Sequence, residues 1–115
     1  MNSPSKSSSL ATRQCKPCAA GTPALQQDQI TALLQQLNGW TQQGQVIVKT
    51  LTFTNFHQAM SFVNAVAWVS NQEDHHPELT ISYNKCKVEY STHSVGGLSE
   101  NDFICAAKVD ALLQA

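Results

Sequence analysis

The sequence predicts a single α+β domain, in which three helices pack on one face of a four-stranded antiparallel sheet. Three observations lead to this fold. Two segments show the alternation of β-hairpins, three show helical periodicity, and their order along the chain is α-β-β-α-β-β-α. Because that order has no βαβ alternation, the sheet should be antiparallel. A chain of 115 residues fits one domain, which we place at residues 23–115.

The first helix is predicted from about Gln27 to Leu37. Its apolar residues follow the spacing i, i+3, i+4, i+7 and so share one face: Ile30, Leu33, Leu34 and Leu37. Gly39 follows, where a left-handed residue commonly ends a helix. The next segment predicts a hairpin with a short strand near Trp40, a turn at Gln43 and Gly44, and a longer strand through Phe53.

Two more helices are predicted on either side of a second hairpin. Thr54 or Asn55 can cap the second helix. Its apolar stripe extends over about four turns: Phe56, Ala59, Met60, Val63, Val66, Ala67 and Ser70. Before the third helix, Ser99 and Asp102 resemble a capping box. That helix has one broad apolar side: Phe103, Ile104, Ala107 and Ala111.

The second predicted hairpin brings two histidines together. Apolar residues alternate with polar ones in both of its strands and share one face: Leu79, Ile81 and Tyr83, then Cys86, Val88 and Tyr90. A turn at Asn84 and Lys85 would place each apolar residue opposite another, with Leu79 facing Tyr90. The same register places His76 opposite His93, and His75 at the junction of loop and strand.

These histidines favour general acid–base catalysis, because imidazole titrates near neutral pH and neighbouring rings can donate and accept protons. Asp74 and Glu78 are close enough in sequence to orient a ring. Three histidines are also the right number for a catalytic zinc, but adjacent histidines on a strand point apart and helical metal-ligand spacing is absent. We therefore expect no metal. The alternative of ordinary surface histidines stays open.

Composition excludes some classes of function. The chain has seven Lys and Arg, eight Asp and Glu, and no basic run that would bind nucleic acid. No stretch approaches the roughly 20 apolar residues of a membrane span, so a cytoplasmic protein is expected. Residues 1–22 are predicted to be a disordered tail, with an organelle transit peptide as the alternative. Cys15 and Cys18 form a CxxC motif without a second pair, which is a weak zinc or redox signal.

Several short motifs resemble those of the pterin-4a-carbinolamine dehydratase family. They are D-H-H-P-E at 74–78, Y-N-K at 83–85, S-T-H at 91–93 and G-L-S-E-x-D at 97–102, preceded by Gly39 and Trp40. The resemblance covers roughly residues 25–113. It implies a dehydratase without a cofactor, which converts 4a-hydroxytetrahydropterin, the product of aromatic amino acid hydroxylases, to quinonoid dihydropterin and water. Asn71 and Leu79 depart from the family pattern, which affects substrate orientation.

The resemblance also implies the site. It would assign catalysis to His75, His76 and His93, and substrate binding also to Asp74, Ser91, Thr92 and Ser94. Glu78, Asp102 and Trp40 are candidates for supporting roles, although Asp102 could serve only as a helix cap and Trp40 only as a hairpin anchor. Family members form dimers or tetramers. Some relatives have lost activity and act as assembly factors or coactivators, so an interaction protein of the same fold is the alternative function.

Overall fold

The computed structural model describes residues 8–19 and 21–113, which form one four-stranded antiparallel sheet in the order β1-β2-β4-β3 with helices on one face. The strands are β1 Thr41–Gln43, β2 Val46–Thr52, β3 Glu78–Ser82 and β4 Lys85–Tyr90. The helices are α1 Ser8–Ala11, α2 Gln27–Leu34, α3 Phe56–Glu73 and α4 Glu100–Leu113, with a 3-10 helix, η1, at His93–Val95. From α2 onward the predicted order α-β-β-α-β-β-α is confirmed. Within the described ranges no helix is both long and apolar enough to cross a bilayer.

The core lies between the sheet and α3 and α4. The sheet contributes side chains that alternate along β2 and β4 and are wholly buried: Ile47, Cys86, Val88 and Tyr90. Helix α4 is buried on nearly all sides from Asn101 to Ala107, because it packs against both α1 and α3. Each large apolar side chain buried in this way contributes about 1.5–3 kcal/mol relative to an exposed one.

Both hairpin turns differ by one residue from their predicted positions. The first lies at Gly44 and Gln45, since Gln43 pairs with Val46. The second lies at Tyr83 and Asn84, since Ser82 pairs with Lys85. Moving a two-residue turn by one position shifts the pairing by two, which keeps every side chain on its predicted face. The apolar pattern is therefore satisfied by both registers and could not distinguish them.

This shift corrects the predicted pairing of the histidines. Leu79 lies opposite Val88 instead of Tyr90, and the ladder ends at Glu78 and Glu89. His76 and His93 are therefore not cross-strand partners. His76 precedes β3, and His93 begins η1.

The N-terminal segment differs from the disordered tail that we predicted for residues 1–22. Residues 1–7 and 20 lie outside the described residues. Between residues 8 and 19 the chain packs against α4: Leu10 is fully buried, and Lys108 Nζ donates to the carbonyl oxygen of Ala11 at 2.8 Å. Leu10 is the one large aliphatic residue among residues 8–19, which was too weak a signal to predict this packing.

Candidate functional site

The turn after α3 determines where His75 points. Helix α3 ends at Glu73, and Asp74 adopts the left-handed conformation with φ of 51°. The backbone N–H of His75 then donates to the carbonyl oxygen of Ser70 at 3.3 Å, which closes the helix end. Aspartate tolerates this conformation better than most residues because its short side chain can hydrogen-bond locally. The chain consequently leaves the helix with His75 directed toward α4.

His75 is bonded to a buried carboxylate. Its Nε2 atom lies 2.6 Å from Oδ1 of Asp102, whose side chain is fully buried. The other carboxylate oxygen, Oδ2, accepts the hydroxyl of Thr92 at 2.8 Å and the backbone N–H of Ser99 at 2.9 Å. The Ser99 hydroxyl lies 2.7 Å from Thr92 Oγ1, so it can donate there while Thr92 donates to Asp102. Both oxygens of the carboxylate are thus held in place.

Asp102 combines two roles that we considered as alternatives. As predicted from the capping-box pattern, its carboxylate accepts the Ser99 N–H at the start of α4. Its other oxygen orients His75. One buried residue therefore connects the beginning of α4 to the end of α3.

The imidazole of His75 also has an aromatic neighbour. It stacks on Tyr90, with ring centroids 5.9 Å apart and an angle of 7° between the planes. Burial raises the pKa of the Tyr90 hydroxyl well above its ordinary value, and nearby Cys105 adds to this effect. The phenol therefore stays neutral. With Asp102 on one edge and Tyr90 on one face, the His75 ring has a defined orientation.

Of this network, His75 and Thr92 line a cleft of about 290 Å³. This is near the lower limit for small-molecule sites, about 300 Å³. The cleft is lined by the end of α3, the segment after β4, the start of α4 and the N-terminal segment: Cys15, Lys16, Pro17, Cys18, Gln72, Glu73, Asp74, His75, Thr92, Ser94 and Asn101.

The structure brings together some of the predicted site residues. Asp74, His75, Thr92 and Ser94 line the cleft, and Asp102 lies directly behind His75. Three others are exposed and do not line this cleft in the part of the chain that the structure describes: His76, Ser91 and His93. We predicted that the rings of His76 and His93 converge in one cleft, but neither ring lines the cleft beside His75.

Two proposed supporting residues are located elsewhere. Glu78 is exposed at the start of β3 and lies opposite Glu89. Trp40 is buried, and its Nε1 atom donates to Oδ1 of Asp110 at 3.0 Å. Trp40 therefore anchors the first hairpin to α4, which is the structural role that we considered for it from the sequence.

One wall of the cleft was not predicted. Residues 15–18 are held across it by two side chains, because Glu73 Oε1 accepts the Cys15 N–H at 2.8 Å and Asn101 bonds both backbone groups of Lys16. The CxxC motif lies in this segment, but no local sequence pattern predicts that the segment contacts α3 and α4. In residues 8–19 and 21–113, no three or more His, Cys, Asp or Glu side chains are grouped to hold a metal.

Comparisons with known proteins identify the family of this chain. The sequence profile of a family described as pterin 4 alpha carbinolamine dehydratase matches residues 23–112. A Nitrosospira multiformis protein with the provisional name pterin-4-alpha-carbinolamine dehydratase is 61% identical over 105 residues, covering 91% of this chain and 93% of its own. A Dechloromonas aromatica protein with the same provisional name is 53% identical over 108 residues, covering 94% and 96%.

Two solved structures share the fold. A transcriptional coactivator/pterin dehydratase from Brucella melitensis is 31% identical with a TM-score of 0.75, covering 77% of this chain and 97% of its own. A pterin dehydratase-like protein identified as a RuBisCO assembly factor in the alpha-carboxysome is 26% identical with a TM-score of 0.56, covering 65% and 89%. The profile match over most of the chain and the close relatives show that this chain belongs to the pterin-4-alpha-carbinolamine dehydratase family.

Proposed function

We propose that this protein dehydrates 4a-hydroxytetrahydropterin to quinonoid dihydropterin and water by histidine acid–base catalysis, without a cofactor. The observation that carries the proposal is the His75 imidazole, fixed by a buried carboxylate at the edge of a cleft. Family membership supports the substrate class. In this proposal the protein acts in the cytoplasm, where it consumes the product of an aromatic amino acid hydroxylase.

The reaction requires two proton transfers. The C4a hydroxyl is a poor leaving group until it is protonated, and it then departs as water. The N5 proton is removed while the N5 electron pair forms the C=N bond to C4a, so one proton enters and one leaves. A positioned acid and a positioned base would each accelerate such a step by about 10²–10⁴.

His75 is suited to one of these transfers. Because its Nε2 faces Asp102, proton exchange with the substrate falls to Nδ1. The carboxylate holds the tautomer in which Nε2 carries the proton, and it balances the positive charge when Nδ1 accepts a second one. The Tyr90 ring beneath it limits rotation.

We assign the complementary transfer to His93 and substrate positioning to His76. His93 lies between Thr92 and Ser94, which both line the cleft, and His76 follows His75. Asp74, Thr92 and Ser94 would contact the pterin ring, with Ser91 near its edge. The proposal requires that substrate binding brings these exposed rings toward the cleft by a change of rotamer.

A stopped-flow assay of carbinolamine loss tests this proposal. His75→Ala and His93→Ala should each lower kcat by about 10²–10⁴. His57→Ala is the matched control, because His57 is exposed in the first turn of α3 and does not line the cleft in the described chain. It should leave kcat unchanged. A wild-type rate in both His75→Ala and His93→Ala would contradict the proposal.

A second candidate function is protein interaction, alone or together with catalysis. The two solved relatives include a coactivator and an assembly factor. Large apolar side chains are exposed here on α3 and on the second hairpin, among them Trp68 at 65% and Tyr83 at 69%. We propose that these surfaces join copies of the chain into a dimer or tetramer. Light scattering of Trp68→Glu, with the exposed polar Gln58→Glu as control, should show a smaller assembly only for Trp68→Glu.

A further inference from the structure

Two cysteines that are far apart in sequence lie in contact. The Sγ atoms of Cys15 and Cys105 are 3.5 Å apart, although 90 residues separate them. Cys105 is fully buried in α4, one turn after Asp102. Cys15 is partly exposed and lines the cleft. The cysteine of the CxxC motif therefore has a thiol partner that the motif itself does not contain.

The contact is held by groups other than the two thiols. The backbone N–H of Cys15 donates to Glu73 at the end of α3. The next residue, Lys16, is bonded through both backbone groups to the side chain of Asn101, which lies one turn before Cys105 in α4. These three hydrogen bonds keep the two sulfur atoms adjacent.

We infer that Cys15 and Cys105 form an oxidation site, at which hydrogen peroxide converts the two thiols to an intramolecular disulfide. The peroxide first oxidises the sulfur of Cys15 to a sulfenic acid and is reduced, releasing water. The sulfur of Cys105 then attacks that sulfenic sulfur, the S–O bond breaks, and a second water leaves with the Cys105 proton. Overall, two thiols lose two electrons and two protons to one peroxide.

Access and geometry assign the order of these two steps. Cys15 faces the cleft, where a small peroxide can reach it, whereas Cys105 is enclosed. The hydrogen bond with Cys15, followed by burial, raises the pKa of the Cys105 thiol, so Cys105 is the less reactive thiol toward peroxide. A disulfide needs an S–S distance of about 2.05 Å, so the sulfurs must approach by roughly 1.5 Å. Residues 13–19 contain neither helix nor strand and can supply this movement.

The competing product is a disulfide between Cys15 and Cys18 within the CxxC motif. In the structure, Cys18 Sγ instead contacts the Asn101 amide at 3.5 Å and the Lys16 carbonyl oxygen at 3.9 Å. The geometry therefore favours Cys105 as the partner of Cys15. This inference concerns a modification and does not depend on the proposed dehydratase activity.

Peptide mapping after treatment with hydrogen peroxide distinguishes the two products. Trypsin does not cleave between Lys16 and Pro17, so Cys15 and Cys18 stay together in the peptide 14–49. Cys105 lies in the peptide 88–108. A disulfide with Cys105 joins these two peptides, whereas a CxxC disulfide leaves 14–49 alone and lighter by two hydrogens.

We expect the joined peptide in the native protein and in Cys18→Ser, and its loss in Cys15→Ser. Oxidation in denaturant is the control for the fold, and should lower the yield of the joined peptide severalfold. In the folded protein, the disulfide should also raise Tm, and dithiothreitol should reverse the rise. A lighter 14–49 peptide, unlinked thiols, or a joined peptide that persists in Cys15→Ser would each overturn the inference.

Discussion

His75 Nε2 and Asp102 Oδ1 lie 2.6 Å apart, and this contact joins the left-handed turn after α3 to the first turn of α4. Asp102 is fully buried, and its second oxygen is bonded by Thr92 and Ser99. The imidazole therefore takes its orientation from a carboxylate that is itself immobile. Preorganisation of this kind is what a positioned acid or base requires.

Asp102→Asn should lower kcat at least about tenfold while the protein stays folded. The amide oxygen can still accept the Ser99 N–H, but the side chain no longer balances a charged His75. Stopped-flow rates with circular dichroism on the same samples measure both properties. An unchanged kcat in a folded Asp102→Asn variant would show that His75 acts without this carboxylate.

Thr92→Val should lower the free energy of unfolding by about 1–3 kcal/mol, because it leaves a buried carboxylate oxygen with one donor fewer. Valine has nearly the same shape as threonine, so packing is conserved. The control is Ser91→Ala at the exposed neighbouring position, which should change stability by less than about 0.5 kcal/mol. Urea unfolding measures both variants. A Thr92→Val variant that is as stable as the wild type would show that the hydrogen bond from Thr92 to Asp102 does not stabilise the fold.

Lys49→Met should destabilise the fold by roughly 3 kcal/mol. Lys49 Nζ lies 2.8 Å from Oδ1 of Asp110, whose side chain is only 4% exposed, so the substitution leaves a buried charge without its cation. The double variant Lys49→Met with Asp110→Asn removes that charge and should recover part of the loss. Urea unfolding of the wild type, both single variants and the double variant measures this coupling. Additive losses would mean that the two residues do not interact.

Stability should decline at alkaline pH. Burial raises the pKa of the Cys86 thiol and the Tyr90 hydroxyl, and the hydrogen bond with Cys15 followed by burial raises that of Cys105. The folded state therefore keeps these protons after the unfolded chain has released them. The stabilisation is complete below about pH 9, the ordinary value for cysteine, and is lost as the pH rises toward the folded pKa values.

Each such group contributes a slope of about 1.4 kcal/mol per pH unit once the unfolded chain is deprotonated. Urea unfolding between pH 7 and 11, under a reducing agent that keeps the thiols free, measures the total slope. Tyr90→Phe removes one titrating group while it keeps the ring, so its slope above pH 10 should be smaller. A stability that does not change up to pH 11 would contradict this account.

The order of helices and strands could be predicted from local patterns. Of the two predicted caps of α3, Asn55 is the one observed, with its Oδ1 accepting the Gln58 N–H at 2.9 Å, and Ser99 and Asp102 start α4. These signals operate over three or four residues, a distance at which sequence spacing determines geometry. For the same reason the sequence could single out His75 and Asp102 separately, but not their contact.

The amino-acid sequence by itself determined the order of the elements and the family motifs around His75. Only the tertiary structure decided the register of β3 and β4, since a shift of two residues preserves the alternation of apolar side chains. It also decided that Asp102 bonds His75 and that Cys15 meets Cys105. Those contacts join residues 27 and 90 positions apart, and at such separations only the packing of the whole chain determines which side chains meet.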